Sequence, residues 1–502
     1  MTDLIATTRL GRVQGFEKAG VLHFRGIPYA APPVGELRFR APQPAEPWDD
    51  VLAATAYGPN SLQEPLAGDL FPPPVARPTS EDCLYLNVTT PSLTGSMPVM
   101  VWIHGGGFTL GSGADFAGRD LAAHGVVVIT MNYRVGALGF LGLRSLADEQ
   151  GRFTNFGMRD QVAALRWVRE NAAAFGGDAS NVTIFGESAG GMSIGALLAS
   201  PEAKGLFDRA IAQSGAGHHA ISVEQAEFVA RQFCDFLDVS PGDAGALRAL
   251  DSHRILAASV AREREGEQSV RDRKPPMLAF NPVIDGQFLR DLPTCAIRNG
   301  DGSRVPVLAG SNADEFQLFT PWWPSPELSE TEARALFREQ TRDGDRAFET
   351  YVAARAGRGQ ASDPAAAWSA AVTDMAYRVP ADRLLEAMVR NGEPAFGYIF
   401  DWKSPANGGV LGACHSLDVF FMSGTYKLAP DFAGSGPAAD ALANAMMDAW
   451  VAFATNGDPS TPALRWPRFE TDARPIMVLS EQCHPTTNYR EAERRVWEGV
   501  IP

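Results

Sequence analysis

The sequence predicts an α/β fold whose centre is a large, twisted and mostly parallel sheet flanked by helices. Continuous apolar runs such as VVVITMNY (126–133) recur along the chain, and runs without polar alternation are typical of strands buried on both faces. A segment with apolar residues at helical spacing, 158–177, separates two of these runs. Because strand, helix and strand in this order form a right-handed parallel unit, we expect parallel strands at the centre of the sheet.

The predicted elements follow in chain order. Short strands and turns come first, then a Pro-rich loop at 30–44 and a second loop at about 58–80, where prolines remove hydrogen-bond donors and fix φ. Core strands are predicted at 84–90, 97–104, 126–133, 182–186, 209–215, 305–312, 396–402 and 475–480, and a final helix at 437–456. Mostly helical stretches at about 222–270 and 327–390 are expected to be insertions, so residues 1–502 are expected to form a single domain.

Composition excludes several functional classes. The formal net charge of -15 argues against binding to nucleic acid or to anionic membranes. The amino-terminal residues lack a basic stretch followed by an apolar one, and the longest apolar runs are too short to span a bilayer. Five scattered cysteines without a CxxC pair argue against a zinc site and suggest reduced thiols. We therefore expect a cytoplasmic protein without a metal; the sequence does not indicate an oligomeric state.

The stretch NVTIFGESAGGMS (181–193) places a serine between glycines, after an apolar run and before small residues. A buried strand or a helix disfavours glycines, whereas a sharp turn between a strand and a helix needs them. Gly186-Glu187-Ser188-Ala189-Gly190 is therefore interpreted as a G-x-S-x-G motif that presents Ser188 as a nucleophile. A chance match is the alternative, but the surrounding strand and helix favour the functional interpretation.

A second glycine motif lies upstream, where a predicted strand runs into His104-Gly105-Gly106-Gly107-Phe108. Consecutive glycines expose backbone N–H groups, as in the HGGG-type loops that supply donors to an oxyanion hole. A flexible turn is the alternative for this motif taken alone. Its place upstream of the GESAG stretch favours the oxyanion-hole interpretation.

Stretches distributed over nearly the whole chain carry a family resemblance. They are FRGIPYAAPPVGELRFRAPQP (24–44), EDCLYLNV (81–88), VWIHGGGF (101–108), NYRVGALGFL (132–141), NFGMRDQVAALRWVRENAAAFGGD (155–178), FGESAGG (185–191), AIAQSG (210–215) and WVAFATNGDPS (450–460). In these stretches the chain resembles the type-B carboxylesterases, a branch of the α/β hydrolases. The resemblance implies the α/β-hydrolase fold, helical insertions that form a gorge, and a serine esterase that needs no cofactor.

The resemblance also implies the partners of the serine. From the residues alone, the neighbouring Asp314 and Glu315 are alternative acids, and the family pattern places the acid at Glu315 in GSNADEFQLF. Chain order leaves His415 and His484 as candidate bases. The family pattern places the base at His415 in GACHSLDVFF, and the implied oxyanion donors are the N–H groups of Gly106, Gly107 and Ala189.

Two further residues have roles that the sequence leaves open. The family also carries a glutamate at the position of Glu187, where the role is either electrostatic or one of buried packing. Ser214, in AQSG, resembles a serine that lies behind the triad in the family, with a plain strand-end serine as the alternative. Candidate gorge residues, each with ordinary packing as the alternative, are Phe108, Met192, Leu318, Phe319, Trp322, Trp323, Phe421 and Met422.

The expected substrate is a neutral ester of a short to medium or aromatic acid, with water as the second reactant. Cholinesterases carry a tryptophan in the loop before EDCLYLNV, and its absence here argues against choline esters. A carbamate or amide hydrolase with the same triad remains an alternative. A non-catalytic binding protein on the same fold is disfavoured because the serine, the histidine and both candidate acids are present.

Overall fold

A mostly parallel sheet runs through the centre of the protein. The computed structural model describes residues 4–64, 76–271, 278–322 and 328–502. Within these residues the central sheet has 11 strands. In chain order they are β1 (Phe16–Lys18), β2 (Val21–Pro28), β3 (Tyr85–Thr90), β4 (Met97–Ile103), β5 (Val127–Met131), β6 (Gly177–Glu187), β7 (Arg209–Gln213), β8 (Val307–Asn312), β9 (Ala395–Phe400), β10 (Ile476–Leu479) and β11 (His484–Thr486).

The strands lie side by side in the order β11-β10-β9-β8-β7-β6-β4-β5-β3-β2-β1. Strands β4 to β10 are parallel to one another, whereas β3 pairs antiparallel with β5 and β2, β1 with β2, and β11 with β10, at the two edges. All five residues of β5 are buried, as expected for a strand covered on both faces. The predicted parallel sheet is confirmed, with antiparallel edges that the apolar runs did not indicate.

Helices cover the sheet and form the segments between the later strands. They are α1 (Arg119–Ala123), α2 (Gly136–Phe140), α3 (Phe156–Asn171), α4 (Ala189–Ala199), α5 (Val223–Leu237), α6 (Ala244–Ala249), α7 (Ser252–Arg271), α8 (Pro293–Arg298), α9 (Glu330–Gln340), α10 (Gly344–Gly357), α11 (Pro364–Thr373), α12 (Val379–Arg390), α13 (Leu417–Met422), α14 (Pro430–Ala433), α15 (Pro437–Asn456) and α16 (Glu491–Val496). Among the described residues, none of these helices has the length and apolar character needed to cross a membrane.

Local sequence signals explain where the two best predicted helices begin and end. Helix α15 has the predicted bounds, because a proline opens it and Gly457, at φ 83°, ends it in the left-handed conformation. Helix α3 begins two residues before the predicted start and ends at Asn171. The rest of the predicted segment, Ala172–Phe175, tightens into a 3₁₀ turn before Gly176.

A buried ion pair links α3 to the segment that follows β5. Nε and Nη2 of Arg134 donate to the two carboxylate oxygens of Asp160 at 2.8 and 2.7 Å. The Arg134 backbone N–H also donates to Asp160, at 3.1 Å. Both side chains are almost wholly inaccessible to solvent. A charge in such a place is costly unless it is paired, so the pair holds α3 against the sheet only while both partners are present.

We predict that Asp160→Asn strongly destabilises the protein. The substitution keeps the size of the side chain but leaves the buried Arg134 guanidinium without a counter-charge, at a cost of about 3–5 kcal/mol in the free energy of unfolding. Urea unfolding followed by circular dichroism measures this cost. The matched control is Glu170→Gln, because Glu170 forms an exposed pair with Arg9 that contributes little. Equal unfolding midpoints for the two variants would contradict the prediction.

Candidate active site

Ser188 lies at a strained turn between β6 and α4. Its backbone has φ 57° and ψ −125°, a conformation that residues with a side chain rarely adopt. The Ser188 N–H donates to the Gln213 carbonyl at 3.0 Å, and the Ser188 carbonyl accepts from the Met192 N–H at 2.8 Å. The turn is therefore held from both sides. It presents the serine at the carboxyl end of a central strand and the amino end of a helix.

The two glycines of the motif are required by close packing against β4. A Cβ atom at Gly190 would lie 2.0 Å from the Ile103 carbonyl oxygen, and one at Gly186 would lie 2.6 Å from the same atom. Both distances are far below contact distance, so the backbones of β4 and of the turn approach each other only because side chains are absent.

The loop after β4 lies beside this turn and presents free N–H groups. Gly106 and Gly107 have φ of 99° and 61°, and their N–H groups donate no hydrogen bond within the described chain. Ala189 is the first residue of α4, so its N–H has no carbonyl partner in the helix. A Cβ at Gly105 would lie 3.0 Å from the Ser188 Cβ, so the loop directly adjoins the serine. Such a cluster of donors suits an oxyanion.

His104 anchors the loop as a neutral side chain. Its ring stacks on Tyr133 with centroids 4.2 Å apart, and the Tyr133 hydroxyl donates to the His104 carbonyl at 2.9 Å. Burial lowers the pKa of His104 to about 4, although a hydrogen bond with the Gly105 carbonyl opposes this shift. His104 is therefore uncharged at neutral pH and supports the loop by packing.

Glu315 and His415 form a short, buried contact. His415 Nδ1 lies 2.6 Å from Glu315 Oε2, and the His415 N–H donates to the Glu315 carbonyl at 3.2 Å. The other carboxylate oxygen, Oε1, accepts from the Asn312 N–H at 2.7 Å. Both side chains are buried. Glu315 is thereby held in one orientation, and it in turn orients the imidazole.

The neighbouring Asp314 points away from the histidine. Its carboxylate accepts from Lys403 Nζ at 2.7 Å and from the Ala413 N–H at 3.0 Å. The Lys403 and Arg490 charges lower the pKa of Asp314 although its burial opposes them. Of the two acids that the residues alone left open, only Glu315 contacts His415. The other candidate base, His484, is exposed and lies on the edge strand β11.

Glu187 occupies the opposite side of the imidazole. Its Oε1 lies 3.2 Å from His415 Nε2 and accepts from the Ser416 hydroxyl at 2.7 Å. Ser188 and His415 share no hydrogen bond in the structure, so Glu187 is the polar neighbour of Nε2. In ligand-free sites such catalytic hydrogen bonds are often long and tighten when substrate binds.

The buried carboxylates change the protonation of the site. Burial lowers the pKa of His415, but the charges of Glu187 and Glu315 outweigh it and raise the pKa to about 9. Burial raises the pKa of Glu187 to about 7, with the nearby His415 charge opposing this shift. Because the groups are in contact, they titrate together and not as independent sites.

A second polar layer lies behind the Glu315–His415 contact, and sequence reasoning missed it. Asp418 accepts from Gln213 Nε2 at 2.8 Å, from the Tyr398 hydroxyl at 3.1 Å and from Asn312 Nδ2 at 3.3 Å. Burial and Glu315 raise the pKa of Asp418. The available signal was the position of Asp418, three residues after His415. Ser214 is buried at φ 47°, and its Oγ has no partner in the described chain.

Two aromatic rings flank the His415 imidazole. The Tyr377 centroid lies 4.9 Å from the imidazole centroid, and the Phe319 centroid lies 5.4 Å from it. Phe319 was a sequence-predicted gorge residue, whereas Tyr377 was not. Tyr377 lies in the stretch at about 327–390 that the sequence predicts to be mostly helical.

A cavity of about 220 Å³ adjoins the serine turn and the glycine loop. Its described lining includes Gly105, Gly106, Leu110, Phe116, Glu187, Ser416, Val419 and Phe420. Helix α13 thus turns Val419 and Phe420 towards the cavity, whereas the predicted Phe421 and Met422 are fully buried in the core. Phe421 packs on Phe400, Trp402 and Tyr426.

The other predicted gorge residues have different surroundings. Phe108 is fully buried against Phe140, with centroids 4.9 Å apart. Met192 and Leu318 are buried, four residues after Ser188 and three after Glu315. The side chain of Trp322 and the whole of Trp323 lie outside the described residues. In the described part of the chain, no cluster of three or more His, Cys, Asp or Glu side chains is arranged to hold a metal ion.

Comparisons with known proteins show which family this chain resembles. The family model described as "Carboxylesterase family" matches residues 2–497. The para-nitrobenzyl esterase of Bacillus subtilis is 39% identical over 513 residues, covering 99% of this chain and 98% of that protein. The fumonisin B1 esterase of Sphingopyxis macrogoltabida is 35% identical, covering 95% and 87%.

A solved Geobacillus stearothermophilus carboxylesterase superposes with a TM-score of 0.86 at 36% identity, over 98% of this chain and all of that one. This similarity confirms the α/β-hydrolase fold. Since the family match spans nearly all residues and the sequence identities exceed one third, the chain belongs to the carboxylesterase family and is a carboxylic ester hydrolase.

Proposed function

We propose that Ser188, His415 and Glu315 hydrolyse neutral carboxylic esters through an acyl-enzyme intermediate. The observation that carries the proposal is the buried 2.6 Å contact between Glu315 and His415 beside the strained serine turn. The contact directs one ring nitrogen to the carboxylate. It leaves Nε2 to exchange protons with the serine and with the leaving group.

The proposed reaction has two halves. In the first, His415 takes the Ser188 proton as the serine oxygen attacks the ester carbonyl, and then gives that proton to the departing alcohol. In the second, His415 activates water, which cleaves the acyl-serine and frees the acid. Glu315 stabilises the imidazolium that forms in both halves and stays ionised itself.

The N–H groups of Gly106, Gly107 and Ala189 are proposed to bind the oxyanion in both halves. Their support is that the first two donate no hydrogen bond to the described chain and that the third opens α4, whose dipole favours negative charge. Preorganised donors of this kind each contribute about 3–4 kcal/mol to transition-state stabilisation. Before substrate binds, Glu187 faces Nε2, and we propose that it tunes the basicity of the histidine.

The proposed substrate is an uncharged ester of moderate size. The cavity of about 220 Å³ has apolar walls at Leu110, Phe116, Val419 and Phe420, which suit an aliphatic or aromatic group. One relative is named a para-nitrobenzyl esterase, so para-nitrobenzyl esters are reasonable first probes. Water is the second reactant, and we propose no nucleic-acid partner for this acidic chain.

We further propose that the whole chain works as one domain, with the helices between 222 and 270 and between 327 and 390 as insertions. A reducing compartment such as the cytoplasm is the proposed location. The support for it is the odd number of cysteines and the burial of the unpaired thiols of Cys83, Cys234 and Cys414.

We predict that Ser188→Ala abolishes the hydrolysis of para-nitrophenyl esters from acetyl to octanoyl. Without the serine oxygen no acyl-enzyme forms, so kcat/KM falls by at least about 10⁴-fold. Release of para-nitrophenol measures the rate along the series. The control is Ser180→Ala on the exposed surface, which should keep wild-type activity. Equal activity of Ser188→Ala and the wild type would exclude Ser188 as the nucleophile.

We predict a second effect, on the pH dependence of kcat/KM. Only the neutral imidazole accepts a proton, so activity falls as pH drops through the pKa of His415, which its carboxylate neighbours raise to about 9. Glu187→Gln removes one of the charges that stabilise the imidazolium. In this variant the acid limb, which is the part of the kcat/KM profile that falls as pH drops, should therefore move to lower pH by about one pH unit.

The control for this experiment is Asp314→Asn. Asp314 is also a carboxylate near the site, but it binds Lys403 and makes no contact with His415. The acid limb of the kcat/KM profile of Asp314→Asn should therefore stay at the wild-type pH. A limb that stays in place or moves to higher pH in Glu187→Gln would contradict the electrostatic role of Glu187. A wild-type profile that stays flat down to pH 4 would count against His415 as the base.

A further inference from the structure

Tyr377 lies beside the base on a distorted helical turn. Helices α11 and α12 are joined by a π-helical turn, Asp374–Arg378, instead of continuing as one regular helix. Turns of this kind are rare and are frequently found at functional sites, because the extra residue redirects side chains. Here the turn brings the Tyr377 ring to a centroid distance of 4.9 Å from the His415 imidazole.

Buried polar contacts hold this turn in place. Arg378 donates to both carboxylate oxygens of Asp374, at 2.6 and 2.7 Å. The Tyr351 hydroxyl donates to the same carboxylate at 2.7 Å. All three side chains are buried. The position of Tyr377 therefore does not depend on its own hydroxyl.

The Tyr377 hydroxyl forms no hydrogen bond within the described chain, and its oxygen is not among the fully enclosed polar atoms, although the residue as a whole is only 8% exposed. Every other buried tyrosine has a bonded hydroxyl. The hydroxyl-to-acceptor pairs are Tyr29 with Asn132, Tyr133 with His104, Tyr351 with Asp374, Tyr398 with Asp418 and Tyr426 with Asp440. The Tyr377 hydroxyl differs from these because it is bonded to nothing in the described protein and is not fully enclosed, so it is free to bond to a group that arrives with the substrate.

This hydroxyl is a donor throughout the working pH range. Burial raises the pKa of Tyr377 well above its usual 10, and the charges of Glu315 and Glu187 act in the same direction. The phenol therefore stays protonated and can give its hydrogen to an acceptor atom.

Tyr377 does not line the cavity that adjoins the serine turn. Glu187 and Ser416 belong to the described lining of that cavity, whereas Tyr377 and Phe319 do not. A group of the ester that lies outside this cavity is therefore the one that Tyr377 could meet. Phe319, whose ring centroid lies 5.4 Å from that of the imidazole, is apolar, so Tyr377 is the polar member of the two rings beside His415.

We propose that Tyr377 is a specificity-determining residue whose hydroxyl donates a hydrogen bond to an acceptor oxygen of the substrate, such as an ether or carbonyl oxygen near the scissile ester. The enzyme accordingly favours esters that carry such an oxygen over purely alkyl esters of the same shape. This inference rests on the proposed esterase function and adds to it the class of ester preferred.

The test compares isosteric substrates in the wild type and in Tyr377→Phe. One pair varies the acid, para-nitrophenyl methoxyacetate against para-nitrophenyl butanoate. The other pair varies the alcohol, 2-methoxyethyl acetate against butyl acetate. In each pair an oxygen replaces a CH₂ group. For each protein, kcat/KM for the ether-containing ester is divided by kcat/KM for the alkyl ester. The intrinsic reactivities of the two esters are the same for both proteins, so they cancel when the wild-type ratio is compared with the variant ratio.

The expected result is that Tyr377→Phe lowers this ratio about fivefold in one of the two pairs, as loss of one neutral hydrogen bond predicts. The pair that responds shows whether the acyl or the alcohol group meets Tyr377. The melting temperature should not fall, because the hydroxyl has no partner within the described protein. The matched control is Tyr426→Phe, whose hydroxyl bonds to Asp440, and its ratios should equal those of the wild type.

Unchanged ratios in both pairs for Tyr377→Phe, with hydrolysis of all four esters intact, would overturn this inference and leave the proposed function standing. A uniform fall in kcat/KM for all four esters would indicate that the hydroxyl has only a structural role, and would also overturn it. A wild type that hydrolyses none of the four esters would overturn both proposals.

Discussion

The close contact between β4 and the turn at Ser188 is the constraint on which the rest of the site depends. Two glycines allow the turn to approach the Ile103 carbonyl, and no other residue fits at Gly190, where a Cβ would lie 2.0 Å from that oxygen. The approach forces Ser188 to φ 57°, a strain of about 1–3 kcal/mol that the surrounding sheet must hold. The same contact sets the glycine loop after β4 beside the serine. A single steric arrangement therefore brings the nucleophile and the free N–H groups together.

Around this rigid centre, buried carboxylates dominate the electrostatics of the site. Glu187, Glu315 and Asp418 are all buried near His415, and their charges raise its pKa although burial lowers it. The arrangement stabilises an imidazolium, which is the state that the base reaches after it takes the serine proton. A base of this kind binds a proton strongly, and Glu187 is the neighbour whose removal would weaken that binding. The carboxylates thus make His415 a stronger proton acceptor than an isolated imidazole.

The neighbours of the imidazole are of two kinds. Glu187 and Ser416 adjoin a cavity with largely apolar walls, where burial of an aliphatic or aromatic group contributes non-directional binding free energy. The ring centroids of Tyr377 and Phe319 lie 4.9 and 5.4 Å from that of the imidazole, and only the tyrosine has a polar atom. An unpaired donor in an otherwise apolar surface discriminates between ligands more sharply than apolar contact does. Selectivity is therefore expected to depend on the tyrosine, and affinity on the cavity.

The sequence by itself determined the local structure of this protein and the class of its chemistry. Apolar runs predicted the central strands, and Pro437 and Gly457 set the bounds of α15, because these signals act between neighbours in the chain. The serine turn was also readable, since its glycines lie within two residues of Ser188. The residues taken alone left open which side chains from distant segments meet, and the tertiary structure answers this. It separated Glu315 from Asp314 by turning one to His415 and the other to Lys403. It also brought Tyr377 and Asp418 to the site and left Phe421 in the core. Such contacts depend on strand order and helix rotation, which no local pattern records.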